Sequence, residues 1–171
     1  MTIVKDFLTA HPDPDAGALA YIASLEAVRS VSPEIAGSIV QELADQRTNL
    51  KLIASENYSS LASQLAMGNL LTDKYSEGFP FHRFYAGCDN VDAVESLAAR
   101  TACEVFGAEH AYVQPHSGAD ANLIAYWAIL SQRIEVPALE ELEETNPSKL
   151  SREQWNVVRE KLGNQRLLGL D

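Results

Sequence analysis

The segment Thr72-Asp73-Lys74-Tyr75-Ser76-Glu77-Gly78-Phe79-Pro80-Phe81-His82-Arg83-Phe84-Tyr85-Ala86-Gly87-Cys88 constrains the fold of this chain more than any other. Gly78, Pro80 and Gly87 break helix and strand alike, so the regular elements must lie on either side of it. It also gathers two tyrosines, a glutamate, a histidine and an arginine. Binding and catalytic groups concentrate on such irregular segments when a rigid frame holds them. A surface loop with ordinary aromatic contacts has the same composition, so the segment alone does not decide between the two.

The flanking sequence is largely helical in pattern. Residues 1–13 hold two prolines and no sustained period, and are expected to be a loose arm. Leu19, Ile22, Leu25 and Val28 recur at three-residue steps within Asp15–Ser30, which is one helical face. Ser32 fits an N-cap, Pro33 the first helical position and Glu34 the positive end of the dipole. Ile35, Ile39 and Leu43 keep the period, and this helix is expected to reach Asn49. Leu50–Ala54 reads as extended, leading into a Ser55-Glu56-Asn57 turn, and Leu61–Leu71 reads as helix.

After the aromatic segment, Asp92 with Glu95 reads as a capping box that opens a helix. Val94, Leu97, Ala98, Thr101 and Val105 are its expected buried side, and Gly107 its stop. Ala108–Val113 reads as a sheet strand and Ala119–Leu130 as an apolar helix lying on that sheet. Residues 133–163 are acidic, with Pro137 and Pro147, and read as an inserted pair of short helices. Ser151 with Gln154 forms a second capping box there, and Trp155, Val158 and Leu162 a helical face ended by Gly163. Leu167-Leu168-Gly169-Leu170 reads as the start of a further strand. No internal repeat is evident.

Composition narrows the class. The chain has 171 residues, 46% hydrophobic and 22% charged, enough for a domain with a real core. No apolar run approaches the ~20 residues that span a bilayer, and the N-terminal residues lack a signal-peptide pattern. A net charge of −11 argues against nucleic acid or an anionic membrane as a general partner. Cys88 and Cys103 lack metal-ligand spacing and read as free thiols of a reducing cytosol, with no metal site.

Three places carry chemistry. Ser117-Gly118, where a strand is expected to meet a helix, suits an anion: free N–H groups, a partial positive charge, a hydroxyl and room for close approach. A plain N-cap has the same pattern. A hydroxyl at Ser55, before the Asn57-Tyr58 turn, has the chemistry to donate to a carboxylate; a capping serine looks identical. Tyr75 and Glu77 lie two apart and project to one side if extended. A glutamate shielded by aromatic neighbours can have a raised pKa and shuttle a proton near neutral pH; a solvated surface glutamate is the usual alternative.

With Leu52-Ile53-Ala54-Ser55-Glu56-Asn57-Tyr58, the aromatic segment and Gln114-Pro115-His116-Ser117-Gly118-Ala119-Asp120-Ala121-Asn122 in this order, the chain resembles the N-terminal portion of serine hydroxymethyltransferase (glycine hydroxymethyltransferase). The resemblance covers about residues 33–132 closely. It implies an α/β fold, the N-terminal part of the aspartate-aminotransferase-like (fold type I) architecture, helix-rich as a truncated piece. Residues 1–50 would be an arm with dimer-contacting helices, and 51–171 the start of the large cofactor domain with an insertion at 133–163. The implied enzyme uses pyridoxal 5'-phosphate to transfer the hydroxymethyl carbon of serine to tetrahydrofolate, giving glycine and methylenetetrahydrofolate, in the cytoplasm and as a homodimer. The resemblance implies that Ser117 and Gly118 hold the cofactor phosphate and that Ser55 binds the amino-acid carboxylate. Glu77 would be the acid–base group touching the serine hydroxyl and the folate. Tyr75 would reach a neighbouring subunit's site, and Tyr85 would face the substrate. Arg83 would fix the loop.

The sequence departs from the family pattern at Phe81, His82, Phe84 and Ala86, and at Ala119 and Asp120 beside the phosphate. Lys5, Lys51, Lys74, Lys149 and Lys161 are its lysines, and none has the threonine-rich setting of the family's cofactor-bonding lysine. The expectation is an incomplete enzyme, inactive as a single chain and completed by more polypeptide or by a complementary C-terminal chain. The alternative is a non-catalytic fragment that binds a full-length or complementary hydroxymethyltransferase chain.

Overall fold

A computed structural model describes residues 2–168. The chain divides between Tyr75 and Ser76 into two compact units.

The first unit is helical because its caps and apolar spacings agree. Helix α1 (Ile3–Ala10) is capped by Thr2, whose Oγ1 accepts from the Lys5 N–H at 3.2 Å. The expected loose arm is therefore ordered helix. Ile3, Val4, Phe7 and Leu8 recur one turn apart, and the helix packs on α2 (Ala16–Val31), where Glu26 Oε2 accepts from the Val4 N–H at 2.8 Å. Asp15 caps α2, accepting from the Ala18 N–H at 2.9 Å. The spaced face of α2 turns inward: Leu25 is buried and Leu19, Ile22 and Val28 half-buried. Ser32 ends α2 and caps helix α3 (Pro33–Thr48), with Pro33 in the first turn and Asn49 as C-cap. Only Ala36 of α3 is buried, so Ile35, Ile39 and Leu43 remain on an open side.

Leu50–Ile53 forms no regular element, and Ala54 lies in the turn that the Glu56 N–H closes onto Ile53 O at 3.1 Å. The helix expected over Leu61–Leu71 is two pieces: α4 (Leu61–Met67), capped by Ser60, and a 3-10 turn at Leu70–Asp73. Gly68 interrupts the first, and Asn69 Oδ1 caps the second by accepting from the Leu71 N–H.

The second unit opens with a hairpin inside the segment expected to hold no strand: β1 (Gly78–Phe79) runs antiparallel to β2 (His82–Arg83), Gly78 pairing with Arg83 and Phe79 with His82, because Gly78 and Pro80 shape a tight turn between two-residue strands. Helix α5 (Asp89–Phe106) follows, and Gly107 ends it in left-handed backbone at φ 61°. Asp92 is not the N-cap expected of it. The helix begins three residues earlier behind Cys88, because the Asp92 carboxylate is taken by the hairpin. Val94, Leu97 and Val105, the expected buried side of α5, are exposed. Ala108–Val113 forms no strand. The same cause serves both corrections: a buried strand and a helix face need a sheet beside them, and β1–β2 is the one sheet among the described residues.

Helix α6 (Gly118–Leu130) passes through a π-helical turn (Ser131–Glu135) into α7 (Val136–Glu141). The widened turn sits just before Pro137, whose missing N–H leaves an ordinary α-helical bond unmade. Leu123, Trp127 and Ile129 of α6 are exposed rather than covered by a sheet. A 3-10 turn (Pro147–Lys149) leads to α8 (Arg152–Gly163). Its capping box is complete: the Gln154 N–H donates to Ser151 Oγ and the Ser151 N–H to Gln154 Oε1. Val158 is fully buried and shares a small core with Ala138 and Leu139. Lys161 pairs with Glu141 across α7 and α8. Leu167 and Leu168 are not in a strand, and Gly169 and Leu170 lie outside the described residues. No helix among the described residues is long and apolar enough to cross a membrane.

Candidate active site

The hairpin is built from two unusual backbone positions. Gly78 has φ 105°, and a Cβ there would lie 2.3 Å from His82 O, so only glycine fits. The turn then runs through Pro80 to Phe81 at φ 65°, a left-handed position normally given to glycine. The Phe81 N–H is held by Asp92 Oδ2 at 3.0 Å. The Phe84 N–H donates to Glu77 O at 2.9 Å, which extends the ladder and places Glu77 at the mouth of the hairpin.

Arg83 locks this hairpin to α5. Its Nε donates to Asp92 Oδ1 at 2.7 Å and its Nη2 to Glu95 Oε2 at 2.6 Å. Nη1 donates to Ser76 O at 2.8 Å and Gly78 O at 3.1 Å, the carbonyls on either side of Glu77. The Arg83 side chain is 4% exposed, so these pairs are shielded from water. The Arg83 hydrogen bond, helped by the Phe81 N–H, holds the Asp92 carboxyl below the usual carboxylate range against the opposing effect of burial. Asp92 and Glu95, read from sequence as a capping box, are thus the two acceptors of a loop-fixing arginine. Their one-turn spacing suits both roles, and no local signal separates them.

Glu77 itself is exposed, without the aromatic shielding that the sequence reading set against a solvated glutamate, and Tyr85 is 46% exposed. Cys88 is buried, its Sγ donating to Tyr85 O at 3.3 Å. In the same unit Ser117 caps α6, its Oγ accepting from the Asp120 N–H at 3.1 Å and its carbonyl from the Ala121 N–H at 3.0 Å. The N–H groups of Gly118 and Ala119 fall outside the helix's own bonding. A Cβ built at Gly118 meets nothing within 4 Å, so the approach is open. Hydroxyl, open amides and helix dipole together fit a phosphate; the Asp120 carboxylate in the first turn opposes one. Gln114, three residues before Ser117, donates from Nε2 to Gly78 O at 2.8 Å and to Glu95 Oε1 at 2.7 Å. Nothing in the residue spacing marks it, because these partners lie far off in sequence.

The other expected residues belong to the first unit. Ser55 is at the turn after Leu50–Ile53, in a pocket of about 330 Å³ lined also by Gln46, Lys51, Glu56, Asn57 and Tyr58. Lys51 Nζ pairs there with Glu42 Oε1 at 3.1 Å and Glu56 Oε2 at 3.6 Å. Tyr75, 75% exposed, is the last residue of that unit.

Residues 28–145 match the family model for serine hydroxymethyltransferase. The chain is 66% identical over 153 residues to serine hydroxymethyltransferase from Treponema pallidum, covering 90% of this chain and 27% of that protein. It is 56% identical over 156 residues to the enzyme from Mycolicibacterium smegmatis, covering 91% of this chain and 32% of that one. Against the Cutibacterium acnes protein it is 52% identical over 162 residues, 95% of this chain and 33% of the relative. The chain therefore spans about a third of the length of the curated relatives it matches. With most of its residues inside the family model, the chain belongs to the serine hydroxymethyltransferase family.

Proposed function

We propose that this chain supplies the N-terminal share of a pyridoxal-phosphate hydroxymethyltransferase of fold type I, which moves the hydroxymethyl carbon of serine to tetrahydrofolate. Family membership carries the reading, and the locked hairpin that presents Glu77 supports it. The cofactor, when bound, supplies an electron sink for the bond broken at the amino-acid α-carbon. Ser117 Oγ and the Gly118 N–H bind its phosphate, and the helix dipole favours that charge. Ser55 Oγ donates to the carboxylate of serine. Glu77 takes the proton from the serine hydroxyl as the hydroxymethyl group leaves, and returns one in the reverse direction. Tyr85 lines the substrate side, and Tyr75 serves the site of a second subunit. The folate, serine and glycine are the small-molecule partners, in the cytoplasm, and a homodimer or a complementary chain completes the assembly. Residues 1–50 are the proposed dimer-contacting arm, 51–171 the start of the cofactor domain and 133–163 its insertion.

The test is glycine formation from serine and tetrahydrofolate. The 171-residue chain by itself is expected to give none, because none of its lysines has the threonine-rich setting of the family's cofactor-bonding lysine. The protein isolated from its source cells with its cofactor-bonding lysine, in the same or a companion polypeptide, is expected to turn over. Turnover by the single chain, or a cofactor-loaded assembly that leaves serine unchanged, would overturn the proposal.

One observation favours a second reading, a fragment that binds a related chain without catalysing. Ile35, Ile39 and Leu43 line an open groove of about 620 Å³ in the first unit, together with Tyr21 and Gln64. That reading expects stable association without turnover, lost on Ile39→Asp.

A further inference from the structure

Gln114 joins three parts of the second unit through one carboxamide. Its Nε2 donates to Gly78 O at 2.8 Å and Glu95 Oε1 at 2.7 Å, and its Oε1 accepts from the Tyr112 hydroxyl at 2.9 Å. The Tyr112 ring stands 6.2 Å from that of Phe79 on β1. Gly78 directly follows Glu77, and Ser117 is three residues beyond Gln114. From the α-carbon of Gln114, the α-carbon of Ser117 can lie at most ~11 Å away. The path from the proposed acid–base carboxylate to the proposed phosphate cup is therefore one peptide, one hydrogen bond and three residues.

Arg83 also holds Gly78 O, but from within the hairpin. It fixes the hairpin to itself and to α5. Gln114 supplies the hydrogen bonds that reach the hairpin and α5 from the segment leading to Ser117, beside the ring contact of Tyr112 with Phe79. Removing its side chain leaves every Arg83 hydrogen bond its donor and acceptor, takes one donor from Gly78 O and one from Glu95 Oε1, and loosens the register between the two segments.

We infer that Gln114 is a positioning residue for the reaction assigned above: it sets the reach of Glu77 relative to the phosphate site at Ser117, without touching substrate or cofactor. The inference rests on that functional reading. Misplacing a reacting group by a fraction of an ångström slows chemistry without weakening ground-state binding. The effect belongs in kcat.

The test uses Gln114→Leu, with Gln114→Glu as a second variant that keeps an oxygen for Tyr112 but loses the donor to Gly78. Native-state hydrogen exchange on the full chain reads the clamp. The Phe84 amide, bonded to Glu77 O, is expected to exchange roughly threefold to tenfold faster, with the amides of α8 unchanged. Glycine formation by the assembled, cofactor-loaded protein reads the reaction. There kcat is expected to fall about tenfold, with KM for serine within about twofold and the cofactor absorption band retained. An unchanged Phe84 amide, or equal acceleration throughout the unit, overturns the clamp. An unchanged kcat, or a loss confined to KM or to cofactor content, overturns the positioning role. A wild-type assembly that holds cofactor but makes no glycine overturns the functional reading and the reaction-level role with it, while the exchange measurement still reads the clamp.

Discussion

Phe81 holds a left-handed backbone angle of 65° with its ring 78% exposed. The angle costs about 1 kcal/mol for a residue with a Cβ, and the exposed ring recovers little of it. Its N–H bond to Asp92 does not depend on the side chain. Phe81→Gly is therefore expected to raise the stability of the second unit slightly, by up to about 0.5 kcal/mol after the added freedom of glycine in the unfolded chain is subtracted. A thermal melt checks this, and a lower midpoint would contradict it. Asp92 gives a pH signature. Its carboxyl titrates below the ordinary value because Arg83 donates to the charged form. A depressed folded pKa contributes stability that is fully present above about pH 4 and lost as pH falls through the folded value. Melting midpoints from pH 7 down to pH 2 are expected to fall in that acid range, and Asp92→Asn to flatten the fall while lowering the plateau. These residues also mark where sequence was ambiguous. Ser32, Pro33 and Gly107 declare themselves locally, because a cap is a contact between near neighbours. Asp92 and Gln114 do not, since Arg83 lies 9 residues from Asp92 and Gly78 lies 36 from Gln114.

Among the elements, the pair α7 and α8 is the best-packed part of the second unit that owes nothing to the proposed site. Val158 is fully buried against Ala138 and Leu139, and the Arg159 guanidinium stands 5.6 Å from the Trp155 ring. Val158→Ala removes two methyl groups and leaves a cavity, expected to cost about 2 kcal/mol. Equilibrium denaturation checks it, and a loss below ~0.5 kcal/mol would show that this small core carries little. The period of Trp155, Val158 and Leu162 made α8 legible, as the spacing of Leu19 to Val28 did for α2. α1 carries a helical pattern, Ile3, Val4, Phe7 and Leu8 one turn apart, but eight residues fall short of the window over which a period is read. The Ala108–Val113 strand failed for a different reason. Its apolar residues fit a strand, but a strand is a property of its neighbours, and none lies beside it among the described residues.

At the scale of the whole molecule, the notable property is how little apolar surface is covered. Leu97, Val105 and Phe106 on α5 and Leu123, Trp127 and Ile129 on α6 are all more than half exposed. Apolar surface of this extent marks faces built to be covered. It agrees with a chain spanning about a third of its curated relatives. The family was legible in three ordered motifs, whereas the coupling of the Glu77 hairpin to the Ser117 segment emerged only with coordinates. The central claim is that Glu77 moves the proton of the hydroxymethyl transfer, and one measurement tests it most directly. In the assembled, cofactor-loaded protein, kcat for glycine formation from serine and tetrahydrofolate is compared between wild type and Glu77→Gln. The account predicts a fall of about a hundredfold or more with cofactor absorbance retained. A Glu77→Gln protein that turns over within about threefold of wild type would contradict it.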